Sequence, residues 1–523
     1  MSAAPAPAAT APLLVRGLRR VGLPGWPDDA APLDVRLAGG RVVEVGPRLP
    51  ARGEAVLDAG GAWAVPGLWD HHVHLGQWGS TFRRLDTASS EQPADVLALV
   101  AARVARLAAE GASPTEVVTG YGHRTGSWWQ LPRVADLDAV SGDHPVVLVS
   151  GDVHSGWLNT AALRMLGLPP REHPVEEREW FELQPRLLEL PGAAEEWERG
   201  IVQAAAAATA RGVVGVTDLE FAPNHRVWPA RLADGLRLRV RAGVYPGLLE
   251  EVVAAGLRTG QVLDPGHDPD GLITMGPLKI ISDGSLNTRT AWCCQPYAVT
   301  SAELVEQVGP TGSEHHGGPN YSADELERLL STARGAGLEV AVHAIGDAAV
   351  QAAVACFERT GAVGSIEHAQ LVRVEDVAAM ARLGLVASVQ PAHLWDDRDV
   401  TELNWPGRSD RCFMFRAMLD AGVELRLGSD APVSPLDPWR SMAAAVHRSG
   451  DDRAPWHREQ ALTAAEALAA STDGVHALTV GAPADLVLLD RHPLLAVPDS
   501  AEVAAHLQAV RVHATVVAGA LAG

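Results

Sequence analysis

Residues 65–75 read VPGLWDHHVHL. A short apolar run leads into three histidines, and two of them, His72 and His74, lie two positions apart. On a β-strand, residues i and i+2 face the same side, so both imidazoles can reach one ion, while His71 points the other way. Such a pair is weak when it stands alone. A single histidine near a strand end is more often a satisfied polar residue than a metal ligand. The pair gains weight from similar residues at the ends of later strands.

Seven further apolar runs occur downstream, most of them separated by helical stretches. They are VVGVTDLE (213–220), RLRVRAGVY (237–245), PLKIISDG (277–284), LEVAVHAIGD (338–347), GSIEHAQ (364–370), LVASVQP (385–391) and VELRLGSD (423–430). Eight strands alternating with helices predict an α/β protein built as a parallel, TIM-like (β/α)8 barrel. Five of the eight strands carry candidate ligands: His72 and His74, then Lys279, His343, His368 and Asp430. All fall at carboxyl ends, where barrel enzymes assemble their sites. An aspartate in Asp-Ala-Pro would ordinarily be read as a helix cap. Its place in this series points instead to a metal centre. Imidazole and carboxylate donors suit zinc first, with manganese or iron as alternatives.

Lys279 is the only lysine among 43 Lys and Arg residues. Its neighbours read as a buried strand, where a free ammonium is costly. Arginine could fill an ordinary ion pair, and it does so elsewhere in this chain. A neutral amine, unlike a guanidinium, can add carbon dioxide and become a carbamate, an anion on a long arm suited to bridging two metal ions. Burial and nearby cations lower the amine pKa and favour that product.

The bulk composition sets limits on the partners. Hydrophobic residues make up 47% and charged residues 20%, which fits a folded globular protein and not a disordered one. A net charge of −21 argues against nucleic acid or an anionic membrane as partner. A small-molecule substrate remains. The four cysteines show no CxxC spacing, so a reducing, cytoplasmic setting is expected. No long uncharged apolar run suggests a membrane span.

Residues 1–12, rich in Ala and Pro, read as a disordered tail and not a signal peptide. Residues 13–63 and 475–523 both read as short β pieces, and the glycine pair at 39–40 signals a hairpin. Each end is too small to close a core alone, so the two are expected to combine into one small β-sandwich domain. The barrel then spans 64–474, with 76–212 as a large insertion after its first strand that lids the site. That insertion holds a helix over 93–110 and strand-like runs at 115–122 and 145–152. The Ala-rich stretch 201–210 reads as a helix ending near Gly212.

With these pieces in view, the chain resembles the amidohydrolase superfamily, in particular amidohydrolase family 3, the branch containing N-substituted formamide deformylases. The resemblance runs from about residue 12 to 523. It rests on VPGLWDHHVHL, SGDVHSGWLNTAAL (150–163), LKIISDGSLNTRTA (278–291), VHAIGDAAV (342–350), SIEHAQ, SVQPAHL (388–394), GSDAPVSPLDPW (428–439) and LTVGAPADLVLLD (478–490). The resemblance implies metal on His72, His74, Lys279 as its carbamate, His343, His368 and Asp430. One ion would sit on His72, His74 and Asp430, and a second on His343 and His368, with the carbamate between them; one or two divalent ions are open. It implies hydrolysis of a non-peptide carbon–nitrogen bond, amide or formamide, by a metal-activated hydroxide, with Asp430 as general base and then acid. Cyclic amides, carbamates or esters are the nearer alternatives, and a non-catalytic ligand-binding barrel the more distant one. Relatives often form homodimers. Asn287 stands where a small residue is common, and the segment GHRTGSWWQLP (122–132) is short; both bear on substrate choice.

Substrate contacts are expected from His154 and Asn159 on the insertion, as substrate or oxyanion partners. Trp128, Trp129 and Trp157 are expected to wall an apolar pocket. Arg289 is expected to pair with Asp283 or meet an acidic substrate group. His315 and His316 read as a solvated polar loop.

Overall fold

A computed structural model describes residues 10–25, 28–113, 116–125, 128–232, 235–298 and 315–522. Of the expected disordered tail at 1–12, residues 1–9 lie outside the described residues, while Thr10 is held in place, its amide donating to Asp270 at 3.2 Å.

Eight parallel strands form the barrel: β1 (Leu68–Val73), β2 (Val213–Asp218), β3 (Arg239–Val244), β4 (Ile273–Ile281), β5 (Val340–Ala344), β6 (Gly364–His368), β7 (Val386–Val389) and β8 (Glu424–Leu427). Each pairs with its successor, so chain order equals spatial order. The first and last strands meet beyond their ends. Val73 bridges Ala431, the Asp430 amide donates to the His72 carbonyl at 2.7 Å, and the His74 amide donates to the Ala431 carbonyl at 2.8 Å. All eight strands coincide with the runs expected from sequence. Strands such as VAVHA of β5, buried throughout, read as continuous apolar runs because both faces are covered.

Strands from both chain ends share one eight-stranded sheet. The N-terminal part contributes Leu13–Arg20, Asp29–Ala38, Arg41–Gly46, Ala55–Asp58 and Trp63–Pro66, and the C-terminal part Leu486–Leu489, Val512–Val517 and Ala520–Leu521. Gly39 and Gly40 form the expected hairpin turn, both with positive φ (56° and 70°), as a tight two-residue connection requires. Trp63–Pro66 runs through Gly67 directly into β1, so no flexible loop separates this sheet from the first candidate ligands. A Cβ at Gly67 would lie 2.3 Å from the Val214 side chain.

The insertion comes directly after β1. Helix α1 (Leu75–Thr81) starts beside His74, and a five-stranded sheet and further helices intervene before α2 (Ala193–Thr209) returns the chain to β2. The expected helix is Pro93–Ala109, and the expected strands are Val118–His123 and Val146–Ser150. The two ends of the insertion are clamped together where α1 crosses α2. A Cβ on Gly79 would sit 2.3 Å from the Gly200 backbone, so the crossing exists only because both residues lack side chains. Among the described residues, no helix is long and apolar enough to cross a membrane.

Gly79→Ala should destabilise the protein by about 1–3 kcal/mol through overpacking. Thermal unfolding would register a lowered midpoint; an unchanged midpoint would show that the crossing tolerates a methyl group.

Candidate metal centre

His72 and His74 both reach the group around Asp430, although the pairing of β1 with β2 shifts by one residue between Asp70 and Val73 and interrupts simple alternation. His71 stacks on Trp69 with ring centroids 6.0 Å apart, and its Nδ1 lies 4.0 Å from Asp473. Burial drives its pKa down to about 3, so it sits there as a neutral packing residue.

The inward histidines meet residues from the far end of the chain. His72 Nε2 is 3.3 Å and His74 Nε2 is 3.4 Å from Asp430 Oδ1, and these three form one group of potential ligands. Asp430 also belongs to a second group with His368 and His393, at 4.0 and 3.9 Å from its Oδ2. Lys279 Nζ lies 3.3 Å from His72 Nε2. The His343 ring packs edge-on against that of His368, centroids 4.6 Å apart. All six residues nominated as ligands from sequence therefore converge at one mouth of the barrel.

The centre is tightly held. His72, Lys279, His343, His368 and Asp430 are all buried. Burial, reinforced by Lys279, lowers the His72 pKa. Burial holds His343 and His368 well below the ordinary imidazole range, so their rings are neutral, the form that binds metal. Burial also lowers Lys279 to about 8, against the pull of Glu367 and Asp430. Burial opposes a charge on Asp430, yet His72, His74 and His368 keep its carboxyl well below the usual range. His368 and Asp430 adopt left-handed backbone, φ 68° and 55°, a strain that surrounding structure must hold.

The donor set fits a divalent ion. Among the described residues, His368 Nδ1, His393 Nε2 and Asp430 Oδ1 are buried without a hydrogen-bond partner. Buried polar atoms are normally paired, so three orphans gathered at one mouth of the barrel fit a site that completes itself by ligation.

Several residues that hold the centre lie outside the set expected from sequence. Glu367 takes a 2.6 Å hydrogen bond with His72 Nδ1, which leaves Nε2 directed at Asp430 and Lys279. Asp70 accepts from the His72 and Ser429 amides, at 3.1 and 3.0 Å, and so ties both ends of the barrel to one carboxylate. His393 opens the helix after β7 and adds a seventh donor. SVQPAHL stands out as a motif in the sequence, but only the fold shows that its histidine turns inward. Nothing in the sequence marks Glu367.

The expected substrate contacts divide. His154 lies against the centre: its ring centroid is 5.6 Å from that of His343, and it borders a cavity of about 30 Å3 with His343, His368 and Asp430. Burial works against its charge, but Glu177, 3.0 Å from its Nδ1, and Asp152 outweigh burial and raise its pKa to about 9. Asn159 is not brought there. It caps the helix Thr160–Met165, accepts from Val146 and Ala162 amides at 2.9 Å, and donates to Ser141 and His144. With every polar position used, it holds the insertion together. Trp128 and Trp157 pack in the insertion's own core, their indole N–H groups donating to the Ser90 and Arg133 carbonyls; Trp129 is exposed.

Asp283 does not pair with Arg289. Its carboxylate accepts the Trp292, Ile345 and Gly346 amides, and burial raises its pKa to about 7. Arg289 stands off the cavity, and its carbonyl receives His315 Nε2 at 2.8 Å. His316 likewise bonds the Cys293 carbonyl. These two histidines are loop staples, half-buried rather than solvated.

Glu367→Gln should weaken metal retention about 10- to 100-fold, measured by chelator competition; unchanged retention would show that His72 needs no orienting partner. Asn159→Ala should lower stability by about 1–3 kcal/mol while leaving metal affinity intact, and an altered affinity would reopen its placement at the site.

Comparison with known proteins agrees with this geometry. The Amidohydrolase family model matches residues 55–522. An N-substituted formamide deformylase of Arthrobacter pascens is 26% identical over 510 residues, covering 88% of this chain and 90% of that protein. Protein LONG AFTER FAR-RED 3 of Arabidopsis thaliana is also 26% identical, over 78% of this chain and 73% of its own length. An uncharacterized metal-dependent hydrolase of Pyrococcus horikoshii superposes with a TM-score of 0.74 at 24% identity, covering 93% of this chain and 98% of its own. The family match spans the barrel strands that carry every nominated ligand, and the chain belongs to the amidohydrolase family.

Proposed function

We propose that the protein cleaves a non-peptide amide or formamide carbon–nitrogen bond at a zinc centre built on His72, His74, Lys279, His343, His368 and Asp430. The carrying observation is that two groups of potential ligands share Asp430 at the carboxyl mouth of the barrel, with a single amine 3.3 Å from His72. The name of the A. pascens relative supports the bond class. A divalent ion held there would supply Lewis acidity and bring the pKa of a coordinated water to about 7.

The chain's own groups do the rest. Lys279, with its pKa lowered to about 8, presents a neutral amine that adds carbon dioxide, releases a proton and becomes an anionic carbamate. Asp430, held ionised with Oδ1 unpaired, takes the proton of the attacking water and returns it to the departing nitrogen. His154, held as its cation by Glu177, faces the same space and donates to the carbonyl oxygen as negative charge develops. The cavity they share, about 30 Å3, is of a size to hold a water.

A chelator should abolish hydrolysis across a panel of N-substituted amides and formamides, and added zinc or manganese should restore it. Asp430→Asn should cut turnover about 10^2- to 10^4-fold. Matching ester analogues tested in parallel report bond preference. Equal rates for wild type and Asp430→Asn, or no metal-restored hydrolysis on any amide, would defeat this reading.

A further inference from the structure

A second, larger cavity of about 580 Å3 lies between α1, α2 and the insertion sheet. Its size is that of a small-molecule site. It shares no lining residue with the small cavity at the metal centre, yet one ring separates it from a candidate ligand. Phe221 lines the cavity and stacks on His74, centroids 5.6 Å apart. Phe181 packs on Phe221 at 5.4 Å and on His154 at 5.1 Å, which extends the partition.

The charge of this cavity runs against that of the chain. The protein carries a net charge of −21, but five arginines and four acidic residues line this space. Arg103 lies 3.9 Å from Glu116, and Arg106 lies 3.8 Å from Glu110. Arg83, Arg84 and Arg199 have no ion pair among the described residues. Of the acids, Glu220 is already engaged by the Gln77 amide and side chain and by the Phe221 amide. Arg84 is the unusual one. It is half-buried, its guanidinium has no hydrogen bond to any described residue, and burial lowers its pKa to about 10 against the pull of Tyr121, Glu220 and Glu196. Leu187, Leu188 and Phe221 supply apolar wall in the same cavity.

We infer that this cavity binds a small organic carboxylate, its apolar body against Leu187 and Phe221 and its carboxylate on Arg84. An arginine presents two parallel N–H donors that match a carboxylate. Such a ligand has two sources: the non-reacting arm of the substrate, reaching past Phe221, or a separate effector. The binding claim stands without the proposed reaction; only the substrate-arm role rests on it.

Calorimetry on the full-length, metal-loaded protein with hexanoate, hexanol and the Arg84→Gln variant tests the site. Hexanoate should bind saturably and at least about tenfold more tightly than hexanol. Arg84→Gln should erase that difference at an unchanged thermal midpoint, and Arg84→Lys should retain part of it. Absence of saturable hexanoate binding, or equal binding by wild type and Arg84→Gln, would overturn the inference. Kinetics then separate the sources. For a substrate arm, Arg84→Gln raises KM about tenfold for a carboxylate-bearing amide and leaves its neutral isostere unchanged. For an effector, hexanoate changes the rate on the neutral amide, and Arg84→Gln abolishes the change. If no amide is hydrolysed at all, the proposed function fails, and the calorimetry still decides this site.

Discussion

The hydrogen bond from the Asp430 amide to the His72 carbonyl, 2.7 Å long, is the contact on which the centre depends. It joins the first barrel strand to the loop after the last. Asp70 reinforces it by accepting amides from both sides, His72 and Ser429. Without that closure the HxH pair and the aspartate would lie at opposite edges of an open sheet. With it, one carboxylate lies within 3.4 Å of two imidazole nitrogens from the other end of the chain.

Closure concentrates polar groups where water is excluded, and low dielectric raises the cost of any charge left unpaired. The site answers this by staying mostly neutral. The His343 and His368 imidazoles are held uncharged, and the one lysine is lowered toward neutrality, while Asp430 keeps its charge through the histidines around it. The same logic bears on position 279: a guanidinium cannot release its proton in a protein, whereas a buried amine can approach neutrality.

The insertion carries a different division of labour. Its own two apolar cores absorb Trp128, Trp157 and Trp180, and Asn159 spends every hydrogen bond on its framework. What it offers the centre is an edge of Arg124, Asp152 and His154, with His154 set by Glu177, whose second oxygen accepts from Thr288 and Thr290 beyond β4. Aromatic residues in a long lid suggest a binding wall when read as letters. In the fold they fill the lid's interior, because a segment this long must bury a core of its own before it can cover anything else.

The barrel was legible from sequence because a parallel strand covered on both faces needs a continuous apolar run, and eight such runs occur in order. The candidate ligands were legible because their spacing in HxH brings His72 and His74 together and strand ends place the others. Local rules reach no further than a few residues. That Glu367 orients His72, that His393 turns inward, that Asp283 spends its carboxylate on three amides instead of Arg289, and that Arg84 makes no hydrogen bond among the described residues all depend on how distant segments meet. Such meetings arise only when the sheet closes and the insertion folds back on it, and tertiary packing alone decided them.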